Sequence, residues 1–193
     1  MSLKWKLGVA VLSAFLSVSA SAGVISSVWS DNGHEYMLVE GQMTWDQANA
    51  SLGSDWYLAT ITSAQEQSFI ESAFGNLRGE FWLGGYQSEV GFTQAERVAG
   101  AADNWAWVTG EEFGGYDNWK VGEPNEWRGT KEDHLAVWNN GGSWDWYWND
   151  EHGRSNIKGY IAEKGAYSVP EPGTLALLGL GLLGLGASRK MQK

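Results

Sequence analysis

The chain has 193 residues, with 13 Lys and Arg against 23 Asp and Glu, and no cysteine. That length holds about one domain, and the lack of cysteine excludes disulfides, thiolate metal sites and cysteine nucleophiles together. Residues 23–168 carry 8 Lys and Arg against 22 Asp and Glu, a net charge of −14, which argues against a nucleic-acid partner and invites cations instead.

At the front, Lys4 and Lys6 precede an apolar run from Leu7 to Val18 and then Ala20-Ser21-Ala22. Basic residues, a short apolar run and a small-residue cleavage site in that order predict a signal peptide over residues 1–22, and therefore export. Small exported domains often need disulfides, but a domain over residues 23–168 is long enough to bury roughly two-thirds of its unfolded surface without them. Twelve of the 13 tryptophans fall in this segment, ample aromatic area for a core.

Within it, Glu35 to Val39 reads as a strand, and Thr44 caps a helix whose apolar positions are Trp45, Ala48 and Leu52. Leu58 to Ile61 reads as a second strand. Ser63-Ala64-Gln65-Glu66 has the form of a capping box, opening a helix with Phe69, Ile70, Ala73 and Phe74 on one face. After Phe74 the helical pattern ends. Short strand-like pieces follow at Phe81–Gly84, Trp105–Val108, Leu135–Trp138, Trp146–Trp148 and Gly159–Ala162. Helices first and strands later predict an α+β fold. The stretch between the strands at Trp105 and Leu135 is long, rich in Gly and Asn, and without periodicity, the profile of a functional loop.

Residues 169–193 form a separate tail. Val169-Pro170-Glu171-Pro172 leads into an apolar run of fifteen residues, Gly173 to Ala187, and then Arg189, Lys190 and Lys193. The prolines stop what precedes them, and the basic tip suits the cytoplasmic edge of a membrane, although the run is shorter than the roughly twenty residues that span comfortably. Pro-Glu-Pro, a short Gly/Leu helix and a basic tip resemble the PEP-CTERM sorting tail. The resemblance implies an exosortase as partner, a bacterial envelope or extracellular matrix as destination, and at least transient membrane anchoring through the tail helix. Gly179, Gly181 and Gly184 also spell G-x-G-x-x-G, but no acidic residue follows at the distance a dinucleotide site requires.

The long loop and the strand after it concentrate hard oxygen donors: Glu123-Pro124-Asn125, Glu132-Asp133 and Asn149-Asp150. Calcium takes six to eight such oxygens from carboxylates, amides, backbone and water, and it would relieve the repulsion of so acidic a segment. A proline between two donors is the kind of peptide bond that tolerates the cis form, which turns Glu123 and Asn125 toward one point.

Tyr116-Asp117-Asn118-Trp119 leading to Gly122-Glu123-Pro124-Asn125, with Trp148-Asn149-Asp150 later, is similar to the C-type lectin domain. Trp82-Leu83-Gly84-Gly85 resembles that family's core strand and Gly159-Tyr160-Ile161-Ala162-Glu163-Lys164 its closing strand. The resemblance runs from about Gly33 to Lys164. It implies a C-type-lectin-like fold with two helices, short antiparallel sheets and a calcium-binding loop. Carried over by position, the calcium ligands are Glu123, Asn125, Glu132, Asn149 and Asp150, and the same residues meet the vicinal hydroxyls of a glycan. The order Glu-Pro-Asn resembles mannose- and glucose-type binders, so a glycan or extracellular polysaccharide is the implied partner. Two departures stand out. Ala162 and His134 occupy positions where the family has cysteines, and the interval from Asn125 to Glu132 is one residue longer than usual.

Trp127, Trp144 and Trp146 are candidates for stacking on a sugar ring, with a core role equally open for them. Trp82, Trp107, Trp119 and Trp138 read as core. Three histidines, His34, His134 and His152, are too scattered for a zinc set. Two rival readings remain. One is a protein- or surface-binding module in which calcium only stiffens the loop. The other is a glycoside hydrolase using Glu123 and Glu132, which a shared cation disfavours because both carboxylates would be held ionised. Binding without catalysis is the expectation.

Overall fold

The structure, a computed structural model, describes residues 24–142, 145–155 and 157–165. The expected signal peptide, the tail from 169 onward with its Gly-rich motif, and Trp144 lie outside them.

The element order is β1 (Val24–Val28), β2 (Glu35–Met43), α1 (Trp45–Ser51), β3 (Tyr57–Leu58), α2 (Ala64–Phe74), β4 (Gly79–Gln87), α3 (Gln94–Ala99), β5 (Trp105–Trp107), a 3-10 turn (Trp127–Gly129), β6 (His134–Asn139), β7 (Asp145–Glu151) and β8 (Ile157–Lys164). The fold is α+β, as the order of elements in the sequence implies.

Helix α1 starts where expected. Thr44 Oγ1 accepts from the Gln47 N–H at 3.2 Å, and Gln47 Oε1 accepts from the Thr44 N–H at 3.0 Å, closing a capping box. Only half of the second box forms. Ser63 Oγ accepts from the Glu66 N–H, but the Glu66 carboxylate turns instead to the Thr62 N–H and to the buried Tyr36 hydroxyl. A charged acceptor inside the core is worth more to Tyr36 than a surface amide would be to Glu66.

Three expectations are corrected. The strand expected over 58–61 pairs as a ladder only at Tyr57–Leu58, because the Thr60 N–H donates to the Glu163 side chain rather than to a neighbouring strand. Strand β1 was not expected; four of its five residues are exposed, so it carries no alternation to find. The helical pattern does not end at Phe74 either. Helix α3 follows, buries no residue, and is marked in the sequence only by its Thr93–Glu96 capping box.

The strands form one sheet in the order β1-β2-β8-β4-β6-β7, with β3 added on β8 and β5 on β4. Strand β8 returns to pair antiparallel with β2, from Glu35 opposite Lys164 to Met43 opposite Ile157, and runs parallel to β4. Both faces of β4 are buried. Phe81 and Leu83 join a core with Ile70 and Phe74 of α2, while Trp82 faces Trp45 and Ala48 of α1. With a helix against each face, the central strands are buried on both sides, and the β7 edge is left to receive the long loop.

Candidate functional site

Between β5 and β6 the chain leaves the sheet for residues 108–133. Backbone hydrogen bonds to β7 stitch it back midway along its length. Trp119 bridges Trp148 of β7, the Lys120 N–H donates to Trp148 O at 3.0 Å, and the Trp148 N–H donates to Asn118 O at 2.8 Å. The Trp148 ring sits edge-to-face with Trp107, Tyr116 and Trp119 at centroid distances of 5.6–5.8 Å, a favoured arrangement of aromatic quadrupoles. The next residues of β7, Asn149 and Asp150, are thereby carried to the side of the loop.

There the Glu123–Pro124 peptide bond is cis. Asn125 Nδ2 donates to Glu123 Oε2. One Asp150 oxygen accepts from the Asn125 N–H at 2.9 Å and the Glu126 N–H at 2.7 Å. Glu132 accepts from the Trp127 N–H. Asn149 Nδ2 donates to Glu80 at 3.2 Å and to Glu151 at 3.4 Å. Glu123, Asn125, Trp127, Glu132, Asn149 and Asp150 all line one cavity of about 310 Å³, so the six residues singled out from the sequence are gathered in one place. Trp138 and Glu151 line it as well.

The cavity is short of positive charge. Burial raises the Glu132 carboxyl to about 7, helped by the charges of Asp150 and Glu151 and opposed by the Trp127 N–H. Glu123 is raised by burial, then by its hydrogen bond to Asp150 and the charges of Asp150 and Glu151. Asp150, only 2 % exposed, is raised by burial in spite of the two backbone N–H groups it accepts from. Glu151 is raised by burial, and Glu80 reaches about 8 through burial and the charge of Glu151. Meanwhile Asn125 Oδ1 and Asp150 Oδ1 are buried with no hydrogen-bond partner among the described residues. Unmatched buried oxygens cost free energy, and crowded carboxyls that resist ionising are the expected state of oxygen ligands without their cation.

No three His, Cys, Asp or Glu side chains among the described residues are grouped closely enough to hold a metal by themselves. A cation held here would therefore need amide oxygens, such as those of Asn125 and Asn149, as well as carboxylates. An all-oxygen set of that kind fits calcium and suits neither zinc nor a soft metal.

The structure decides one tryptophan that the sequence left open, corrects another and adds other residues. Trp146 is 4 % exposed and belongs to the core, so it has no face to offer a sugar, whereas Trp127 is 60 % exposed at the mouth of the cavity. Trp138, read as core, is only partly buried and lines the site. Glu80 comes from β4 and could not be found by proximity in sequence; its signal was an acid flanking the Phe81–Gly84 strand. Glu151 follows Asn149-Asp150 directly and was the nearer clue. His134 packs against Trp45 with tilted rings and centroids 4.4 Å apart, filling the place where the resemblance puts a cysteine, and His34, just before β2, pairs with Glu163 of β8. Among the described residues no helix is long and apolar enough to cross a membrane, and the run from Gly173 to Ala187 is not among them.

With this geometry in view, comparison with known proteins places the chain. Residues 168–190 match the PEP-CTERM protein-sorting motif. The chain is similar to ladderlectin of Oncorhynchus mykiss, 31 % identical over 121 residues, which are 60 % of this chain and 54 % of ladderlectin. It spans between 2 % and 54 % of the length of the curated relatives it matches. Among solved structures it is similar to the cow C-type carbohydrate-recognition domain of CD23 in the presence of a GlcNAc2Man3 oligosaccharide. That match has a TM-score of 0.53 and 24 % identity, covering 69 % of this chain and 88 % of that one. A Ca2+-dependent type II antifreeze protein in its Ca2+-free form matches with a TM-score of 0.54 and 20 % identity, covering 72 % and 96 %. At these identities the structural likenesses carry the fold.

Proposed function

From a chain that has the C-type lectin fold and carries a PEP-CTERM protein-sorting motif, we propose an exported protein that binds carbohydrate of mannose or glucose type through a calcium ion, without catalysis. The observation that carries this reading is the pair of partnerless buried oxygens, Asn125 Oδ1 and Asp150 Oδ1, in a cavity whose carboxyls are all shifted upward. Glu123, Asn125, Glu132, Asn149 and Asp150 would hold the ion. Bound there, calcium supplies a Lewis-acidic centre whose open positions accept two adjacent sugar hydroxyls.

The chain's own groups would do the rest. Glu123 and Glu132 accept hydrogen bonds from those hydroxyls, and the Asn125 and Asn149 amides donate to them, so each hydroxyl both gives and receives. Trp127 presents an exposed indole face beside the cavity for the sugar ring. A single monosaccharide that keeps much of its hydration would bind weakly, at roughly millimolar Kd or about 4 kcal/mol; useful avidity then comes from many copies. The PEP-CTERM motif implies exosortase processing and delivery to the cell envelope, with the apolar tail run as the transient anchor and residues 1–22 as the export signal.

Hydrolysis fits the electrostatics poorly. Acid and base partners need pKa values pushed apart, whereas burial and neighbouring carboxylates push Glu123 and Glu132 in the same direction. The protein-binding reading draws on Val121 and Phe92, which are almost fully exposed, Val121 being two residues from Glu123. A glycan array probed with the purified chain, with and without calcium, separates these readings. Calcium-dependent binding to mannose-type glycans is expected. A blank array from folded, calcium-loaded protein, or release of reducing ends, would overturn the proposal.

A further inference from the structure

Helix α3 contributes no residue to the core, so something other than apolar burial must fix its position. Its polar side chains reach the ligand-bearing loop. Arg97 Nη2 donates to Gly129 O at 2.6 Å, Nη1 donates to Phe92 O at 3.1 Å, and Nε lies 3.8 Å from Glu126 Oε2. Gln94 Nε2 donates to Arg128 O at 3.2 Å and packs against Gly129, where a Cβ would collide with the Gln94 side chain.

Glu126 stands at the centre of that loop. It is 1 % exposed. Its N–H donates to Asp150, its Oε2 accepts from the Glu132 N–H at 3.1 Å, and its carbonyl accepts from the Gly129 N–H at 2.5 Å. The backbone around it is unusual, with Glu126, Arg128 and Gly129 all at positive φ (51°, 56° and 71°), a region that non-glycine residues visit uncommonly. A buried carboxylate needs a paired charge. Arg97, with its side chain 19 % exposed, supplies one.

We infer that Arg97 is a positioning residue for the cation site, a resident guanidinium that neutralises Glu126 and clamps residues 126–132 against α3, so that the ligand-bearing loop is formed before any divalent ion arrives. Its fork donates to two carbonyls while Nε, which has no hydrogen-bond partner among the described residues, holds the charge 3.8 Å from a carboxylate, a combination that an ammonium cannot match. The clamp is a property of the metal-free chain. Its consequence for calcium rests on the function proposed above.

Hydrogen exchange of the purified full chain in chelator, comparing the parent with Arg97→Ala and Arg97→Lys, tests the clamp without any ligand. In Arg97→Ala the amides of Trp127, Gly129 and Glu132 should exchange at least about tenfold faster, the range lost with one charge-assisted hydrogen bond, while the amides of β2, β4 and β8 hold. Calcium titration of the same variant should show affinity down by about the same factor, with glycan binding restored at saturating calcium. Arg97→Lys, keeping the charge but losing the fork, should fall between parent and alanine variant in both readouts. Loop exchange unchanged in Arg97→Ala, acceleration spread equally over the sheet, or a lysine variant no better than alanine would each overturn the inference. If the parent chain binds no calcium, the proposed function fails, and the exchange comparison still judges the clamp.

Discussion

Along β4, Phe81, Trp82 and Leu83 are buried on both faces against apolar side chains from α1 and α2, with a paired strand on either side. From Glu123 to Glu132 burial is only partial, with Trp127, Arg128, Thr130 and Lys131 exposed, but the atoms that are buried there and on neighbouring β7 include carboxylate and amide oxygens, and three of them, on Asn125, Glu126 and Asp150, find no hydrogen-bond donor among the described residues. The first region is complete in itself. The second has a polar demand that the protein does not meet, and such a demand is the physical mark of a site built for something else. Trp148 is the joint between the two, since it faces the aromatic core while its backbone holds Asn118 and Lys120 of the loop.

The largest effect should follow from breaking that joint. Trp148→Ala removes a fully buried ring that touches Trp107, Tyr116 and Trp119, and urea unfolding should report a loss of about 3–5 kcal/mol. Asp150→Asn should separate the regions instead. It keeps an acceptor for the Asn125 and Glu126 amides but removes the charge, so calcium affinity should fall more than about a hundredfold, beyond the loss typical of an outer-shell partner. In chelator the variant should be no less stable than the parent, because one buried carboxylate has gone.

A pH series sharpens the same contrast. A carboxyl raised in the folded state, as Glu132 is from its ordinary 4.5 to about 7, holds its proton longer folded than unfolded. Its contribution to stability therefore declines as pH rises from about 4.5 to about 7 and stays lost above that. Calcium, which needs the ionised form, should restore the loss. The rise in Tm on adding calcium should thus be greater at pH 8 than at pH 5, and an equal or smaller rise at pH 8 would break the comparison. The smallest effect is expected at the rim. Trp127→Ala should weaken glycan binding by about 1 kcal/mol or less while leaving the calcium isotherm unchanged.

What the sequence disclosed, and what it hid, divides along similar lines. Helices α1 and α2 and strands β2, β4, β6, β7 and β8 announce themselves by apolar periodicity, because each packs one or both faces into the core. Strand β1 and helix α3 bury almost nothing and leave no such trace. The ligand candidates were legible because a Pro-containing donor pair and an Asn-Asp pair are recognisable as local motifs. Glu80 and Arg97 were not, since each reaches its partner only through the sheet or through the docking of α3, and neither lies near a donor motif in sequence. Trp146 was ambiguous for a related reason. Tryptophan stacks on sugars and fills cores equally well, and only the packing of β7 against α2 shows which occurs here.

Calorimetric titration of the folded chain with calcium at pH 7.5, after exhaustive chelation, tests the central claim most directly. The account predicts saturable binding with a Kd no weaker than about 1 mM, the upper range of extracellular calcium modules, abolished by Asp150→Asn and accompanied by proton release from the raised carboxyls. A folded chain that takes up no calcium at that concentration would contradict it.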